Sequence, residues 1–361
     1  MQLNFQTFRA TNGLQKVGLV AALAMAIAGL SACSSEEQAT DGGTDSNATA
    51  TDALPGEGIT VTPGYDLLEE LFQTEVVSIG LERLGYEIGS KKELKPATLH
   101  VDIANGGITY MTHHWEALHE EFFVQSGGDE SLERTGQFVS NVLQGYKIDK
   151  ATAEEYDITS VEQLKDPEIA ALFDTDGDGK ANLTGCNPGW GCELVIEHHF
   201  DTYELRDTVQ HEQGQYFALI ADTITRHEQG EPILFYTWTP LWVNGVLKDD
   251  EDVVWLEVPY TSLPEAQGEV SEADTSVDGV NLGFAIDQQT ILANQAFIDE
   301  NPSAAKFFEL AQIPIEDVSA QNQLIQDGED TPEAIREHAE AWVEENQAEF
   351  DSWIEEALAA Q

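Results

Sequence analysis

An alternation of strand, helix and strand patterns follows residue 54, and this order constrains the fold more than any other feature. A short strand pattern covers residues 58–61, an apolar helical pattern covers residues 67–84, and a second strand pattern covers residues 86–88. This order is typical of an α/β sheet covered by helices. About 300 residues follow residue 54, more than one hydrophobic core usually holds, so we expect an α/β fold of two lobes.

Later segments continue the mixture of helices and strands. Helical patterns cover residues 161–172, 193–205, 215–228 and 302–311, and strand patterns cover residues 232–236 and 253–258. Residues 332–359 space their apolar side chains near the helical period of 3.6, and Trp342 and Trp353 fall on that apolar face. We therefore predict that these two tryptophans pack in the core, and we leave them out of the functional site.

Residues 1–33 resemble an export signal of the lipoprotein type. Basic residues precede an apolar run over residues 17–30, which is short for a membrane span and typical of a secretory signal. The run leads into Cys33 through a tetrapeptide that resembles a bacterial lipobox, in which the cysteine is lipidated; an ordinary signal peptide is the alternative. Residues 34–53 contain no Lys, Arg, aromatic or large aliphatic residue, which predicts a flexible acidic tether.

Acidic residues outnumber basic ones so strongly that whole classes of partner are excluded. There are 67 Asp and Glu against 16 Lys and Arg, a formal net charge of −51. Such a chain repels nucleic acids and anionic membrane surfaces, so the only membrane contact that we expect is through the lipid anchor. With 41% hydrophobic residues and seven tryptophans, the chain still builds cores. Its acidity is therefore a surface property, suited to high ionic strength.

Three tryptophans in separate motifs point to a site for a cation. Trp115 lies among histidines, and Trp190 and Trp238 lie beside glycine or proline, outside apolar helical stripes. A quaternary ammonium ion has no N–H group to donate, so proteins hold it against aromatic faces, at about 0.5–2 kcal/mol per ring. Several rings are therefore needed. The alternative is that each tryptophan is simply a core residue.

The two remaining cysteines flank the second of these tryptophans. Cys186 and Cys192 are close in sequence in an exported chain, which favours a disulfide over a metal site. The loop between them contains proline and glycine and precedes a helical pattern, so the N–H groups of Gly191, Cys192 and Glu193 are predicted to lie at a helix N-terminus, where anions bind. An aromatic face and amide donors in one motif together suit a zwitterion.

Six dense stretches carry a family resemblance: residues 54–56, 58–61, 164–167, 183–193, 236–240 and 252–256. Through them the chain resembles the periplasmic glycine betaine/proline betaine-binding proteins of ABC importers, from residue 54 to residue 361. The resemblance implies a two-lobe periplasmic-binding-protein fold with the ligand cleft between the lobes. Lobe 1 would comprise residues 54–147 and 281–361, and lobe 2 residues 148–280. It also implies a monomer that delivers glycine betaine or proline betaine to an ABC permease and its ATPase for osmoprotection.

Carried over residue by residue, the family's site falls on six positions of this chain. His119 stands four residues after Trp115, so on a helix both side chains would project from one face. The chain departs from the family at Glu116-Ala117, where Thr-Pro is typical, and a carboxylate facing the ligand there would change specificity. The aromatic box corresponds to Trp115, Trp190 and Trp238, and the carboxylate contacts correspond to His119 and the backbone of Gly191 and Cys192.

A separate acidic motif resembles the start of an EF-hand calcium loop. Asp174, Asp176 and Asp178 occupy positions 1, 3 and 5, Gly177 occupies position 4, and Gly179 follows at position 6. Lys180 at position 7 could contribute only its backbone carbonyl, and position 12 holds a glycine in place of the bidentate Glu. We expect a structural Ca²⁺ clasp here, with an ordinary Asp-Gly turn as the alternative, and no required cofactor.

Other functions compete with import of a betaine. Choline or carnitine is an alternative ligand, and a calcium-dependent structural lipoprotein is a more distant alternative. A metal hydrolase is a further candidate, but the chain has no His-Glu-x-x-His motif and no nucleophile motif, so we do not expect an enzyme. The histidines that such a hydrolase would use are His113, His114, His119, His198 and His199.

Overall fold

The computed structural model describes residues 53–360. The predicted lipidation site at Cys33, the signal over residues 1–33 and residues 34–52 of the predicted tether lie outside the described residues. Within residues 53–360, none of the helices combines the length and the apolar character that a membrane span requires.

Fourteen strands in the described part of the chain form two five-stranded sheets and two small two-stranded ones. The strands are β1 (Thr60–Val61), β2 (Pro63–Tyr65), β3 (Glu87–Ile88), β4 (Lys92–Glu93), β5 (Tyr110–Trp115), β6 (Leu132–Val142), β7 (Gln144–Asp149), β8 (Ala181–Thr184), β9 (Val209–Glu212), β10 (Leu234–Trp238), β11 (Val253–Leu256), β12 (Ser276–Val277), β13 (Val280–Asn281) and β14 (Asp287–Asn294).

Thirteen α-helices in residues 53–360 cover these sheets. They are α1 (Leu71–Arg83), α2 (Pro96–Ala104), α3 (Glu120–Gln125), α4 (Lys150–Tyr156), α5 (Pro167–Ala170), α6 (Gly191–Thr202), α7 (Tyr216–Glu228), α8 (Val243–Val246), α9 (Gln295–Glu300), α10 (Pro302–Leu310), α11 (Ile315–Gln326), α12 (Pro332–Glu345) and α13 (Gln347–Ala359).

Each five-stranded sheet is the centre of one lobe, and this confirms the predicted α/β fold of two lobes. The first sheet has the order β4-β2-β5-β14-β6, so it combines strands from both ends of the described chain. Its strands β4, β2 and β5 are parallel, and β14 runs antiparallel between β5 and β6. The second sheet has the order β11-β7-β10-β8-β9, with β8 parallel to its two neighbours.

The chain passes from the first sheet to the second between β6 and β7, at Leu143. The boundary predicted at Lys147 therefore falls inside β7, and the return predicted at Asn281 falls at the end of β13, before β14. Strand β7 is difficult to recognise from sequence because it buries the polar side chains of Gln144, Lys147 and Asp149. The residue limits of the two lobes stay a prediction.

The helix predicted over residues 161–172 is wrong. The chain instead forms a 3₁₀ helix at Val161–Lys165, the short helix α5 and a second 3₁₀ helix at Ala171–Phe173. Pro167 has no N–H group and holds Asp166 in an extended conformation, so the helix must start again. The Asp166 carboxylate then caps the new helix by accepting from the N–H of Glu168 at 2.9 Å.

The two tryptophans predicted to be core residues are buried near the C-terminus. Trp342 on α12 packs edge-on against Phe72 of α1, with ring centroids 6.4 Å apart, and its Nε1–H donates to Asp317 at 2.9 Å. Trp353 on α13 packs against Phe350 at 5.5 Å. Both predictions are confirmed, although the helical pattern over residues 332–359 is divided into two helices at Asn346.

Candidate functional site

A cavity between the two lobes brings together all six predicted ligand-binding residues. Its volume is about 60 Å³, room for a few water-sized groups, since each needs about 10–15 Å³. The first lobe contributes residues from the end of β5 and the turn after it, and the second lobe contributes residues from the start of α6 and the end of β10. The six residues are Trp115, His119, Trp190, Gly191, Cys192 and Trp238.

Trp115 and His119 reach the cavity from the end of a strand and from the turn after it, and not from one helix. Trp115 is the last residue of β5, and the N–H of His119 donates back to the Trp115 carbonyl at 2.9 Å. The turn is held by the Asp287 carboxylate of β14, which accepts from the N–H groups of Ala117 and Leu118 at 3.0 Å each. Burial raises the pKa of Asp287 to about 6.

The Glu116 carboxylate, whose orientation matters for specificity, is engaged outside the cavity. It accepts a hydrogen bond from Gln288 Nε2, and the Glu116 N–H donates to the Gln288 carbonyl at 3.1 Å. The departure from the family's Thr-Pro sequence therefore ties the turn to β14 and adds no charge among the cavity-lining groups of the described residues.

The His119 imidazole is neutral and carries its proton on Nε2. Burial lowers the pKa of His119 well below its ordinary value. Its Nδ1 accepts the N–H of Trp115 at 3.3 Å, so in the neutral ring the hydrogen resides on Nε2. His119 can therefore donate one N–H to a group bound in the cavity.

The second lobe forms an aromatic corner in the cavity. The rings of Trp190 and Trp238 are nearly perpendicular, at 82°, with centroids 5.7 Å apart. Tyr216 of α7 supports both, with its ring centroid 4.7 Å from that of Trp238 and 6.3 Å from that of Trp190. All three tryptophans of the cavity are buried, so their faces are shielded from bulk water.

The predicted disulfide between Cys186 and Cys192 is present, and it fixes the loop that precedes α6. Trp190 is the N-cap of α6 and Gly191 is its first residue, so the first amides of the helix lie at the cavity as predicted. The N–H of Glu193 was predicted to face an anion with those of Gly191 and Cys192, but it donates to the Trp190 carbonyl at 3.2 Å. Its carboxylate accepts the N–H of Gly189 at 2.6 Å and thereby stabilises the loop.

Three acidic residues that the sequence analysis did not select also line the cavity: Asp66, Glu69 and Glu70. Glu70 accepts the N–H groups of Asp66 and Leu67 at 2.8 and 2.9 Å, and lies 3.2 Å from Nε2 of His113. Burial raises the pKa of all three carboxyl groups and lowers that of His113 to about 3. In sequence, acidic residues before a helix indicate only helix capping.

A lysine of the first lobe stands beside the aromatic corner. Lys95 Nζ donates to the Asp66 carboxylate at 3.0 Å and lies 5.6 Å from the ring centroid of Trp190. Burial raises the pKa of Asp66, and the Lys95 ammonium group partly offsets that effect. Lys95 and Asp66 therefore connect the first lobe with the indole of Trp190.

The acidic residues of the predicted calcium loop converge away from the cavity, in the loop before β8. One carboxylate oxygen each of Asp174, Asp176 and Asp178 lies within 4.8 Å of the others. Asp174 accepts N–H groups of Gly177 and Gly179 at 2.6 and 2.8 Å, and these bonds lower its pKa. The predicted fourth ligand, Lys180, uses its N–H to donate to Asp178 and its ammonium group to donate to the Arg206 carbonyl.

The histidines considered for a hydrolase are divided between two places. His113, His114 and His119 lie near the cavity in the first lobe. His198 and His199 lie on α6, where their rings contact Ser262, and His199 Nδ1 is 2.8 Å from the Tyr146 hydroxyl. The fold therefore does not assemble the five histidines into one site.

Comparison with known proteins identifies the family of the chain. A family model described as the substrate binding domain of the ABC-type glycine betaine transport system matches residues 60–345. The chain is 47% identical over 310 residues to the glycine betaine/proline betaine-binding periplasmic protein of Escherichia coli (strain K12), covering 85% of this chain and 93% of that protein. It is 48% identical over 313 residues to the glycine betaine-binding periplasmic protein OusX of Dickeya dadantii (strain 3937), covering 86% and 93%.

Solved structures support the same fold at lower identity. Lactococcal OpuAC, in its closed-liganded conformation with glycine betaine, superposes with a TM-score of 0.62 at 19% identity, covering 82% of this chain and 99% of that one. An ABC-transporter choline binding protein in complex with choline gives a TM-score of 0.64 at 18% identity, covering 83% and 96%. The chain therefore belongs to the family of substrate-binding domains of ABC-type glycine betaine transport systems.

Proposed function

We propose that this protein captures glycine betaine or proline betaine outside the cytoplasm and delivers it to an ABC permease and its ATPase. The observation that carries the proposal is the cavity between the lobes, where three tryptophans from the two lobes lie beside a helix N-terminus and a neutral histidine. This combination matches a ligand with a methylated cation at one end and a carboxylate at the other.

Trp115, Trp190 and Trp238 would hold the quaternary ammonium group. The perpendicular rings of Trp190 and Trp238 would contact different methyl groups, and Trp115 would contact the cation from the opposite lobe. Cation–π attraction in a desolvated site reaches about 2 kcal/mol per ring. The carboxyl groups of Asp66 and Glu69 on the same wall would add attraction whenever they are ionised.

His119 and the first amides of α6 would hold the carboxylate. The Nε2–H of His119 and the backbone N–H groups of Gly191 and Cys192 are the donors, and the partial positive charge of the helix N-terminus favours an anion there. Hydrogen bonds to a carboxylate are about twice as strong as those between neutral groups. These donors would orient the ligand with its ammonium group toward the tryptophans.

Titration calorimetry of the metal-free protein with a ligand panel tests this proposal. We expect glycine betaine and proline betaine to bind at one site per chain, without turnover. Choline has no carboxylate and should bind more weakly, because the unpaired donors cost about 1–3 kcal/mol. Carnitine has a carboxylate but a longer chain, so it should also bind more weakly. Choline binding as tightly as glycine betaine would contradict the carboxylate half of the site.

The predicted membrane anchor at Cys33 is a further part of the proposed function. We expect the exported protein to be lipidated there and held at a membrane by the lipid alone. Replacing Cys33→Ser should release the protein into the soluble fraction without changing its affinity for glycine betaine. Equal membrane retention of the parent and the variant would contradict lipidation.

Structural calcium at the loop before β8 is a separate part of the proposal. Asp174, Asp176 and Asp178 would supply carboxylate ligands, and Lys180 would supply its backbone carbonyl. Calcium should then raise the thermal unfolding midpoint of the parent but not that of Asp176→Asn, and glycine betaine affinity should be unchanged. An equal shift in both proteins would place the ion elsewhere.

A further inference from the structure

Asp287 lies where both chain crossings between the lobes meet the first sheet. The first crossing leaves β6 after Val142. The second crossing returns through Phe284, whose ring packs against Tyr146 and Tyr236 of the second sheet with centroids 5.6 and 5.5 Å apart. Three residues later Asp287 begins β14 and pairs with Val142. Asp287 therefore belongs to the pair of strands that connects the two lobes.

The buried carboxylate of Asp287 reaches the turn between β5 and α3. Its Oδ1 accepts from the N–H of Ala117 at 3.0 Å and from that of Gln288 at 2.8 Å, and its Oδ2 accepts from the N–H of Leu118 at 3.0 Å. Hydrogen bonds from backbone N–H groups stabilise the charged form of a carboxyl group. Three such donors therefore compensate a buried anion at this position.

The turn that Asp287 holds presents His119 to the cavity. The N–H groups of residues 116–118 all donate to β14, either to the Gln288 carbonyl or to the Asp287 carboxylate. The imidazole of His119 follows at the end of the turn and lines the cavity, and the backbone of the turn lies against Gly191 at the start of α6. The position of β14 thus determines where the donors of the two lobes meet.

We propose that Asp287 is a positioning residue, whose carboxylate holds the turn so that the Nε2–H of His119 meets the carboxylate of the bound ligand. This inference rests on the proposed capture of a betaine and assigns the control of its carboxylate half. Among the described residues, Asp287 does not line the cavity, so it acts through the turn and not by contact with the ligand. Loss of the Asp287 carboxylate should therefore affect betaines much more than choline, which has no carboxylate.

Only the ionised form of Asp287 can hold the turn in this way. A protonated carboxyl group places an O–H donor where the N–H of Leu118 needs an acceptor. Burial raises the pKa of Asp287 to about 6 although its N–H donors oppose the shift, and the nearby Glu116 carboxylate adds to the increase. The other charged side chains of the groove that Asp287 lines are Glu120 of α3 and Arg134 of β6, which pair with each other at 2.7 Å.

The sign of the expected pH dependence follows from this pKa. Above about pH 6 Asp287 is ionised and the turn is held, whereas at lower pH the protonated form should bind glycine betaine more weakly. Asp66, Glu69 and Glu70 also titrate at the cavity, but they act on the ammonium group that glycine betaine and choline share. The ratio of glycine betaine affinity to choline affinity therefore separates Asp287 from these three groups.

Titration calorimetry of the parent and of Asp287→Asn with both ligands tests the assignment. The asparagine amide has one acceptor oxygen, and its NH₂ group would face an N–H of the turn. At pH 8 we expect glycine betaine affinity to fall by about 10- to 100-fold, the effect of losing one hydrogen bond to a charged group, while choline affinity changes little. At pH 5 the parent is itself protonated at Asp287, so the difference between the two proteins should nearly disappear.

Asp149→Asn is the matched control. Asp149 is an equally buried aspartate of the second lobe, and it accepts the N–H groups of Thr152 and Ile233 at 2.8 and 3.0 Å. Its replacement should lower stability in urea unfolding but leave glycine betaine affinity unchanged. Urea unfolding also verifies that Asp287→Asn folds.

Three outcomes would overturn the positioning role of Asp287. The first is a folded Asp287→Asn variant that binds glycine betaine as tightly as the parent at pH 8, and the second is an equal loss of affinity for choline. The third needs no variant: a parent whose ratio of glycine betaine affinity to choline affinity does not fall between pH 8 and pH 5. A parent that binds no glycine betaine at any pH would instead contradict the proposed function, and this inference with it.

Discussion

The backbone carbonyl of Leu118 lies only 2.6 Å from the position that a β-carbon on Gly191 would occupy. Leu118 belongs to the turn after β5 in the first lobe, and Gly191 begins α6 in the second. The two lobes therefore meet backbone to backbone at the proposed carboxylate site. Glycine is required at this position by the close approach of another backbone.

Replacing Gly191→Ala should weaken glycine betaine binding while leaving each lobe folded. The added methyl group would meet the carbonyl and Cγ of Leu118, so the lobes could not close fully, at a cost of about 1–3 kcal/mol. Calorimetry measures the affinity. Gly214→Ala is the matched control, because its β-carbon would meet Leu219 at an ordinary 3.4 Å. Parent-like affinity in Gly191→Ala would contradict closure at this contact.

Replacing the Trp238 side chain by a smaller one should weaken glycine betaine binding in proportion to the aromatic surface removed. We expect Trp238→Ala to lose about 1–3 kcal/mol of binding free energy, and Trp238→Phe to lose less, because a smaller ring remains for the cation. Trp255→Phe makes the same substitution at β11, where the indole lies over Lys147, and should not change affinity. A folded Trp238→Ala variant that binds glycine betaine like the parent would contradict the role of Trp238 in holding the quaternary ammonium group.

Removing the disulfide with Cys186→Ser and Cys192→Ser should reduce ligand affinity more than it reduces global stability. A loop this short restricts the unfolded chain little, so the entropic loss is about 2 kcal/mol. The same bridge holds the start of α6, whose amides are proposed to bind the carboxylate. Calorimetry and urea unfolding of the same preparation compare the two effects. Free thiols in protein isolated from its native envelope would remove the basis of this prediction.

His199 should make the folded state sensitive to acid. Burial lowers the pKa of His199 to about 3, whereas an unfolded histidine titrates near pH 6.5. Below pH 6.5 the unfolded state therefore binds the extra proton, and His199 reduces the unfolding free energy by about 1.4 kcal/mol per pH unit down to about pH 3.

Urea unfolding of the parent and of His199→Gln between pH 7 and pH 4 measures how much His199 contributes to the pH dependence of the unfolding free energy. The slope of unfolding free energy against pH should be smaller in the variant by about 1.4 kcal/mol per pH unit, which is the contribution of one proton. Molar salt screens the change in net charge, and the other titrating groups are common to both proteins. Identical slopes would show that His199 does not remain neutral in the folded protein.

Salt should affect choline and glycine betaine differently. Glycine betaine has no net charge, and its proposed partners are buried, so its affinity should change little between low and molar salt despite the net charge of −51. Choline is a net cation, so it should lose affinity as the Debye length falls to about 3 Å at 1 M. A large loss of glycine betaine affinity in high salt would show that surface charge, and not the buried groups of the cavity, binds the ligand.

Local sequence patterns predicted the start of α6 and the disulfide of the second lobe correctly. The turn residues before Gly191 and the helical pattern after it placed the start of α6, and the paired cysteines predicted the bridge that is present. The first lobe's half was less predictable. The spacing of Trp115 and His119 would put both on one face of a helix, but a buried strand ends at Trp115 because β14 pairs with it across a long separation in sequence.

The sequence by itself determined the α/β class, the export signal pattern, the tryptophan motifs and the buried faces of the C-terminal helices, because each depends on neighbours within a few turns of the chain. Only the tertiary structure decided that Asp66 and Glu70 face the tryptophans and that His100 meets His114 and His119. Those relationships depend on how distant strands and helices pack, and burial then changes the pKa of each group. No local pattern encodes such distances.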